Sequence, residues 1–353
     1  MEMPGPPPQG CPKVPFCTSR ACRVGTCTNL VPRISLLKAT DLRQAIHGLA
    51  LQAFAGKALV SAMSTAEMTL MAILKWRRHM HAHFERTGPL VELSSYPTWA
   101  QDLVTACQAT KQSVIDHEVW SIMCEASLDA VATRDFMVGV WPVIERFPGY
   151  MALNLLKTRY GRSKGENMAR RWLVRNIRVE QNHAEYWLNW AEGAGVPESE
   201  VLNGTAPYGT ESLASWCEEV SRSAPLAAGM IATNYAVEGA TGEWSQKVYE
   251  SVAYSESFPK AIRTHSLRWL QLHAAYDDTH PWEALEIVCT LVGHDPRADE
   301  VAYLQECVKR SYVSMRITLD RCLDVRRDPW LLNEPALDEP VFNGPVVAKE
   351  AAA

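Results

Sequence analysis

The sequence predicts an all-α protein, and three observations carry that prediction. Apolar residues recur three and four apart over stretches far longer than a strand, as in Leu103, Ala106, Val114, Val119, Ile122 and Met123, the spacing that puts them on one helix face. No run of alternating apolar and polar residues survives a pass along the chain, and no hairpin signal appears. Proline and glycine fall where helices begin and end, with Pro97 opening one stretch and Gly193-Ala194-Gly195 closing another.

In chain order, residues 1–62 form a leader that differs from the rest. It is proline-rich at its start and sets only Glu2 and Asp41 against seven Lys and Arg. Such a basic, acid-poor segment reads as a targeting peptide, a disordered arm, or sequence upstream of a true start at Met63. Residues 63–97 read as an N-terminal helical extension, with Glu67 to Arg86 as its helix. His79 and His83 lie four apart there, but Lys75, Arg77 and Arg78 surround them and repel a cation, so an exposed basic helix is expected.

The helical body follows. An amphipathic stretch runs from Pro97 to about Leu128, and a second piece runs from Thr133 to Glu145. Pro142 and Pro148 should bend the chain on both sides of Glu145, because proline cannot continue the hydrogen-bond ladder. Asn167 to Glu192 reads as one long helix, with Arg170, Arg171, Arg175 and Arg178 on its first half, one of them a candidate partner for a substrate carboxylate. Glu211 to Val248 reads as two pieces meeting near Pro225, followed by Pro259 to Tyr276, Pro281 to Leu291 and Ala298 to Cys322. Residues 326–353, with four prolines from Pro329 onward, read as a strap or a disordered tail.

Composition bounds the function. At 353 residues and 47% apolar, the chain can bury a sizeable core. A net charge of −5 with no dense Lys/Arg field excludes nucleic acid as a partner. The longest apolar run, Ala45 to Met63, is interrupted by His47, Gln52 and Lys57 and does not span a bilayer, so no membrane partner is expected. Four cysteines crowd the leader at spacings that match no zinc pattern. The other six are scattered at helical positions, which reads as buried free thiols in a reducing, cytoplasmic setting.

Three clusters carry chemistry. Glu180 and His183 stand three apart in IRVEQNHAEYW, His273 and Asp277 stand four apart with His280 one turn on, and Glu238 sits among small and aromatic residues in NYAVEGATGEW. Positions three or four apart share a helix face. Carboxylates and imidazoles brought together from separate helices suit a pair of iron ions, since carboxylates bridge and balance charge while histidines fix geometry. Glu180 with His183 alone is also what a charged surface helix shows, whereas Trp269, Leu270, Leu272 and Ala275 set the His273 run on a buried face; Glu238 alone also fits a salt-bridged helix edge. Glu145 is open between a metal and Arg146 as its partner, because a carboxylate beside Trp141, Phe147 and Tyr150 needs one or the other if buried.

Glu145, Glu180, His183, Glu238, His273, Asp277 and His280 stand in an order and at intervals similar to the metal ligands of the haem-oxygenase-like diiron oxidases, relatives of the TenA and PqqC-type proteins. The resemblance spans residues 98–325. Its most specific parts are the H-x3-D-x2-H run and RFPGYMALNL followed by VEQNHAEYWLNWAEGAGV. It implies a seven-helix bundle holding two Fe(II)/Fe(III) ions, O2 as co-substrate, a small-molecule substrate and an external electron donor, with no catalytic residues beyond the ligands and with a homodimer left open. The chemistry implied is N-oxygenation of an amine or amino-acid derivative first. Oxidative decarboxylation or C–C cleavage of a fatty or amino acid is the alternative, since the E-x2-H spacing resembles the alkene-forming member. A self-sacrificing route to aminobenzoate, drawing on Tyr150, Tyr160, Tyr186 or Tyr235 with Lys157 or Lys164, is a third. A regulatory or binding protein of the TenA type stands as the reading from another class.

Overall fold

The computed structural model describes residues 84–276 and 279–327. The leader, His79, His83, Asp277 and the proline-rich tail from Asp328 lie outside the described residues. Among the described residues every regular element is helical and none is a strand. None of their helices is long and apolar enough to cross a membrane.

The elements are α1 (Thr98–Ile115), α2 (Glu118–Cys124), α3 (Ala130–Leu156), α4 (Lys164–Glu180), α5 (His183–Gly193), α6 (Glu198–Asn203), α7 (Ser212–Ser223) and α8 (Leu226–Met230). A π-helical segment, Ile231–Val237, leads directly into α9 (Glu238–Glu250). Then come α10 (Val252–Ser257), α11 (Arg263–Ser266), α12 (Arg268–Tyr276), α13 (His280–Val292) and α14 (Ala298–Arg327). The long α14 packs along α1, α3, α7 and the π segment, while α9 lies against α12 and α13 against α4. The core runs between these helices and is unusually rich in indole, with Trp120, Trp187, Trp190, Trp244 and Trp269 all buried.

Local chemistry explains the boundaries. Asp129 caps α3 by accepting from the Ala132 amide at 2.8 Å, and Ser163 caps α4 by accepting from the Glu166 amide at 3.1 Å. Glu166 turns back to accept from the Arg159 amide at 2.8 Å, holding the preceding loop down. Helix α5 stops as expected at Gly193, and Gly195 just beyond it takes a left-handed φ of +87°. The Val196 amide reaches back to the Ala191 carbonyl at 2.8 Å and closes the turn. Gly229 is required for a different reason: a Cβ there would lie 2.1 Å from Oδ1 of buried Asn154.

Three expectations about the helices are corrected. Residues 84–97 are not helical apart from the 3-10 turn Leu93–Ser95, and the rest of the expected extension lies outside the described residues. Helix α3 runs unbroken through Pro142 and Pro148, because each proline removes one ladder bond while the buried face of Phe136, Met137, Val143, Phe147, Tyr150 and Met151 holds the helix in place. Glu145 therefore stands at no break. The helix expected over Asn167–Glu192 is two helices parted at Gln181 and Asn182. The six described cysteines are free and five of them are buried. Burial raises the thiol pKa at Cys107, to about 11, and at Cys217 and Cys307, to about 12, which keeps them protonated and inert.

Candidate metal centre

The break between α4 and α5 brings two of the expected ligands together. Glu180 is the last residue of α4 and His183 the first of α5. Nδ1 of His183 lies 2.5 Å from Oε2 of Glu180, yet no hydrogen bond joins the two and Nδ1 is buried with no hydrogen-bond partner. A ring nitrogen and a carboxylate oxygen that converge without a shared proton are arranged as two donors to one cation, and leaving them bare would be costly in a core.

Glu238 opens α9 at the end of the π segment, where Ile231 to Val237 are all buried. Its Oε1 accepts from Asn234 Nδ2 at 2.6 Å, and the Thr233 hydroxyl lies 3.1 Å from Asn234 Oδ1 and 2.8 Å from the Gly229 carbonyl. The second oxygen, Oε2, lies 3.9 Å from Nδ1 of His280, the first residue of α13. One carboxylate oxygen is thus fixed by the protein and the other directed toward an imidazole, the kind of outer support that metal-binding carboxylates have.

His273 on α12 carries the clearest tautomer. Its Nδ1 lies 2.8 Å from the Trp269 carbonyl, which only accepts, so Nδ1 carries the hydrogen and Nε2 keeps its lone pair. Burial holds the His273 pKa well below its ordinary value, and the nearby His183, 4.8 Å ring to ring, adds to the effect. Burial also lowers His280, against the opposing pull of Glu283 and Glu180. Both imidazoles are therefore held neutral, the form that binds metal.

Glu180, His183, Glu238 and His273 line one cavity. The rest of its wall is Trp120, Phe136, Val140, Val143, Ile144, Phe147, Leu213, Val237, Thr241, Trp244, Trp269, Met315, Thr318 and Leu319. That wall contains no Lys or Arg. Five of its residues, from Phe136 to Phe147, follow one face of α3, along a stretch of helix about 16 Å long.

Not every expected residue joins this site. Glu145 is exposed on α3 and does not line the cavity. The helix turns its Val143 and Phe147 face inward, and Arg146 stands 3.8 Å from Glu218 rather than serving Glu145. Arg170, Arg171, Arg175 and Arg178 are all exposed, and Arg175 pairs with Glu283 at 2.5 Å. Asp277 lies outside the described residues. Among the described residues alone, no three donors are arranged to hold an ion; the closest approaches are pairwise. The donor set nonetheless fits iron: two carboxylates and three imidazoles, with the Nδ1 of His183 buried and without a hydrogen-bond partner.

Two polar residues escaped the sequence reading. Asn234 supports Glu238 from four positions earlier, a helical spacing that a search for second partners would have found. Asn176, four positions before Glu180, is 1% exposed with neither amide atom hydrogen-bonded. Nothing in its neighbouring sequence marks it.

Residues 134–312 match a family model described as iron-containing redox enzyme. Among solved structures, the chain is similar to a TenA homologue from Pseudomonas syringae pv. tomato at 50% identity and a TM-score of 0.67, over 69% of this chain and 99% of that one. A TenA homologue from Pyrococcus furiosus shares the fold at 16% identity, with a TM-score of 0.52 over 64% of this chain and all of that one. So does a domain of unknown function with a heme oxygenase-like fold from Shewanella denitrificans, at 16% identity and a TM-score of 0.51, over 68% and 97% of the two chains. No curated protein matches. The expected haem-oxygenase-like, all-helical fold is thereby met.

Proposed function

Because the chain belongs to a family of iron-containing redox enzymes, we propose that it uses two irons and O2 to cleave the carboxyl carbon from an acid with an apolar chain. Glu180, His183, Glu238, His273 and His280, with Asp277, would hold the metal. Bound iron supplies O2 activation and electron transfer.

The single observation that carries this reading is the cavity wall. An alkyl chain laid against Val140, Val143, Ile144, Phe147, Leu213 and Leu319 gains roughly 0.8 kcal/mol for each methylene removed from water. A zwitterionic amino acid, with one charged group at the carboxylate and imidazole end, would press the other against the apolar wall, where only the hydroxyls of Thr241 and Thr318 could receive it. This favours C–C cleavage over the N-oxygenation that the resemblance put first. With no Lys or Arg in the wall, the substrate carboxylate belongs at the end lined by Glu180, His183, Glu238 and His273, where a bound metal would balance its charge. The apolar chain then lies along α3, and its neighbours exclude water from the reacting carbons.

The balance is simple. Loss of the carboxyl carbon as CO2 with formation of a terminal alkene releases two electrons and two protons. O2 takes up those and two more of each, the second pair of electrons from an external donor, and leaves as two waters. The aminobenzoate route gains nothing from Tyr160, which is 84% exposed, from Tyr150, which donates to the Ala214 carbonyl, or from Lys157, which donates to the end of α7.

The test is to load purified protein with Fe(II), add O2 and reductant, and supply saturated acids of graded length alongside candidate amines. Headspace alkene from acids of intermediate length, with two irons per chain, is the expected result. Oxygen incorporated into an amine with no alkene from any acid would overturn it, and protein that takes up no iron would favour a regulatory role.

A further inference from the structure

Behind the metal-side wall lies a feature that the proposed reaction does not use. The Trp269 ring stacks on the His273 imidazole with centroids 3.8 Å apart and planes 27° apart. On its other sides it meets three more indoles: Trp190 at 5.5 Å and 18°, Trp244 at 5.5 Å and 22°, and Trp187 at 4.9 Å edge to face. Trp190 then donates Nε1–H to the Tyr254 hydroxyl at 2.8 Å. Tyr254 lies on α10, the short helix on which Val252 is 68% exposed.

Core packing does not account for this choice of residue. A buried indole N–H ordinarily finds an acceptor, but Nε1 of Trp269 is buried with none. A phenyl at 269 would fill most of the same space without that cost. What indole adds is a low ionisation energy. It yields an electron to a strong oxidant and passes the vacancy to another indole in van der Waals contact.

We infer that Trp269 and Trp190, continued by Tyr254, form an electron relay between His273 and the surface at α10. The inference rests on the iron reading above. One electron passes from Trp269 to the oxidised centre, one from Trp190 to Trp269, and one into Trp190 across the Tyr254 ring from a one-electron donor in solution, a reduced flavin or iron–sulfur protein. The centre ends one electron richer and the donor one poorer, and no proton has to move inside the protein. Without donor or substrate, the vacancy stays on the relay: the oxidised outer ring releases a proton to solvent, and the neutral radical left behind combines with dissolved O2.

Peptide mapping of oxidised side chains tests this. Iron(II)-loaded protein exposed to O2 without substrate or donor should accumulate oxygenated Trp190 and Tyr254. In Trp269→Phe, which keeps the aromatic packing, both modifications should fall several-fold at unchanged iron content. Equal modification in that variant, or none at Trp190 and Tyr254 in the parent, would overturn the relay. Protein that binds no iron would sink the metal reading instead, and the relay is then decided on metal-free protein. An ultraviolet flash that ejects electrons from indole should leave oxidised Tyr254 in the parent but not in Trp190→Phe. Oxidation of Tyr254 to the same extent in both would overturn it.

Discussion

Asn234 and Glu238 are joined by a 2.6 Å hydrogen bond from Nδ2 to Oε1, one turn apart in a wholly buried stretch of helix. The bond fixes the carboxylate and leaves Oε2 directed toward His280. Replacing Asn234 by Leu keeps the volume and removes the donor. Iron affinity, measured by competition with a chromophoric chelator, should fall about 10–100-fold, the usual cost of losing such outer support. An unchanged affinity would show that the π segment alone sets the carboxylate.

Glu145 and Glu180 make a contrasting pair. Glu180→Ala removes the carboxylate that converges with the His183 ring nitrogen and should abolish stoichiometric iron binding. Glu145→Ala, on an exposed face, should leave iron content unchanged and shift stability by no more than about 0.5 kcal/mol. Metal analysis and urea melts of both variants decide the matter. Loss of iron in Glu145→Ala would restore it as a ligand.

These two residues also mark what could be read from the chain alone. Helical spacing placed Glu238 on an inward face; it also paired Glu180 with His183, although the two stand on separate helices and meet across the break between them. Local reading of the glycines likewise ended α5 correctly, at Gly193. It failed wherever packing overruled a local signal. Two prolines looked like breaks in α3, yet the buried face on either side of them held the helix straight through, and Glu145 was turned outward as a result. Conversely, Gln181 and Asn182 carry no breaking residue, and the separation of α4 from α5 is visible only once the pair they flank is seen to converge. The cavity was invisible for a plainer reason: its wall draws on residues from Trp120 to Leu319, and only the tertiary fold brings them together.

Gly165 near the start of α4 has no room for a side chain. An added Cβ would stand 2.9 Å from the Leu291 amide nitrogen and 3.0 Å from its Cα, and backbone cannot swing aside. Gly165→Ala should cost about 1–3 kcal/mol in denaturant melts, as overpacking does. Since α4 ends at Glu180 and α13 begins at His280, forcing these helices apart should also weaken iron binding. A variant as stable as the parent would mean that the contact is looser than it stands.

Lys157 supplies a pH test. Its ammonium donates to Asn154 Oδ1 at 3.0 Å and to the Ala224 carbonyl at 2.7 Å, yet burial lowers its pKa from 10.5 to about 8. Between those two values the unfolded chain holds a proton that the folded chain has released. This group therefore raises stability as pH climbs through the window and contributes least below it. The stability of the parent relative to Lys157→Met should accordingly increase from pH 8 to pH 10.5. A flat difference in urea midpoints across that interval would show the ammonium to be fully solvated.

Helix α3 passes through Pro142 and Pro148 without a break, and each proline deprives the carbonyl four residues back of its usual donor. The second of those carbonyls belongs to Ile144, a member of the cavity wall. Two missing rungs six residues apart make this helix the compliant side of the chamber. A guest slightly too broad would be accommodated by bowing α3 outward, so tolerance for differently shaped chains is written into the backbone of one wall rather than into the side chains that touch them.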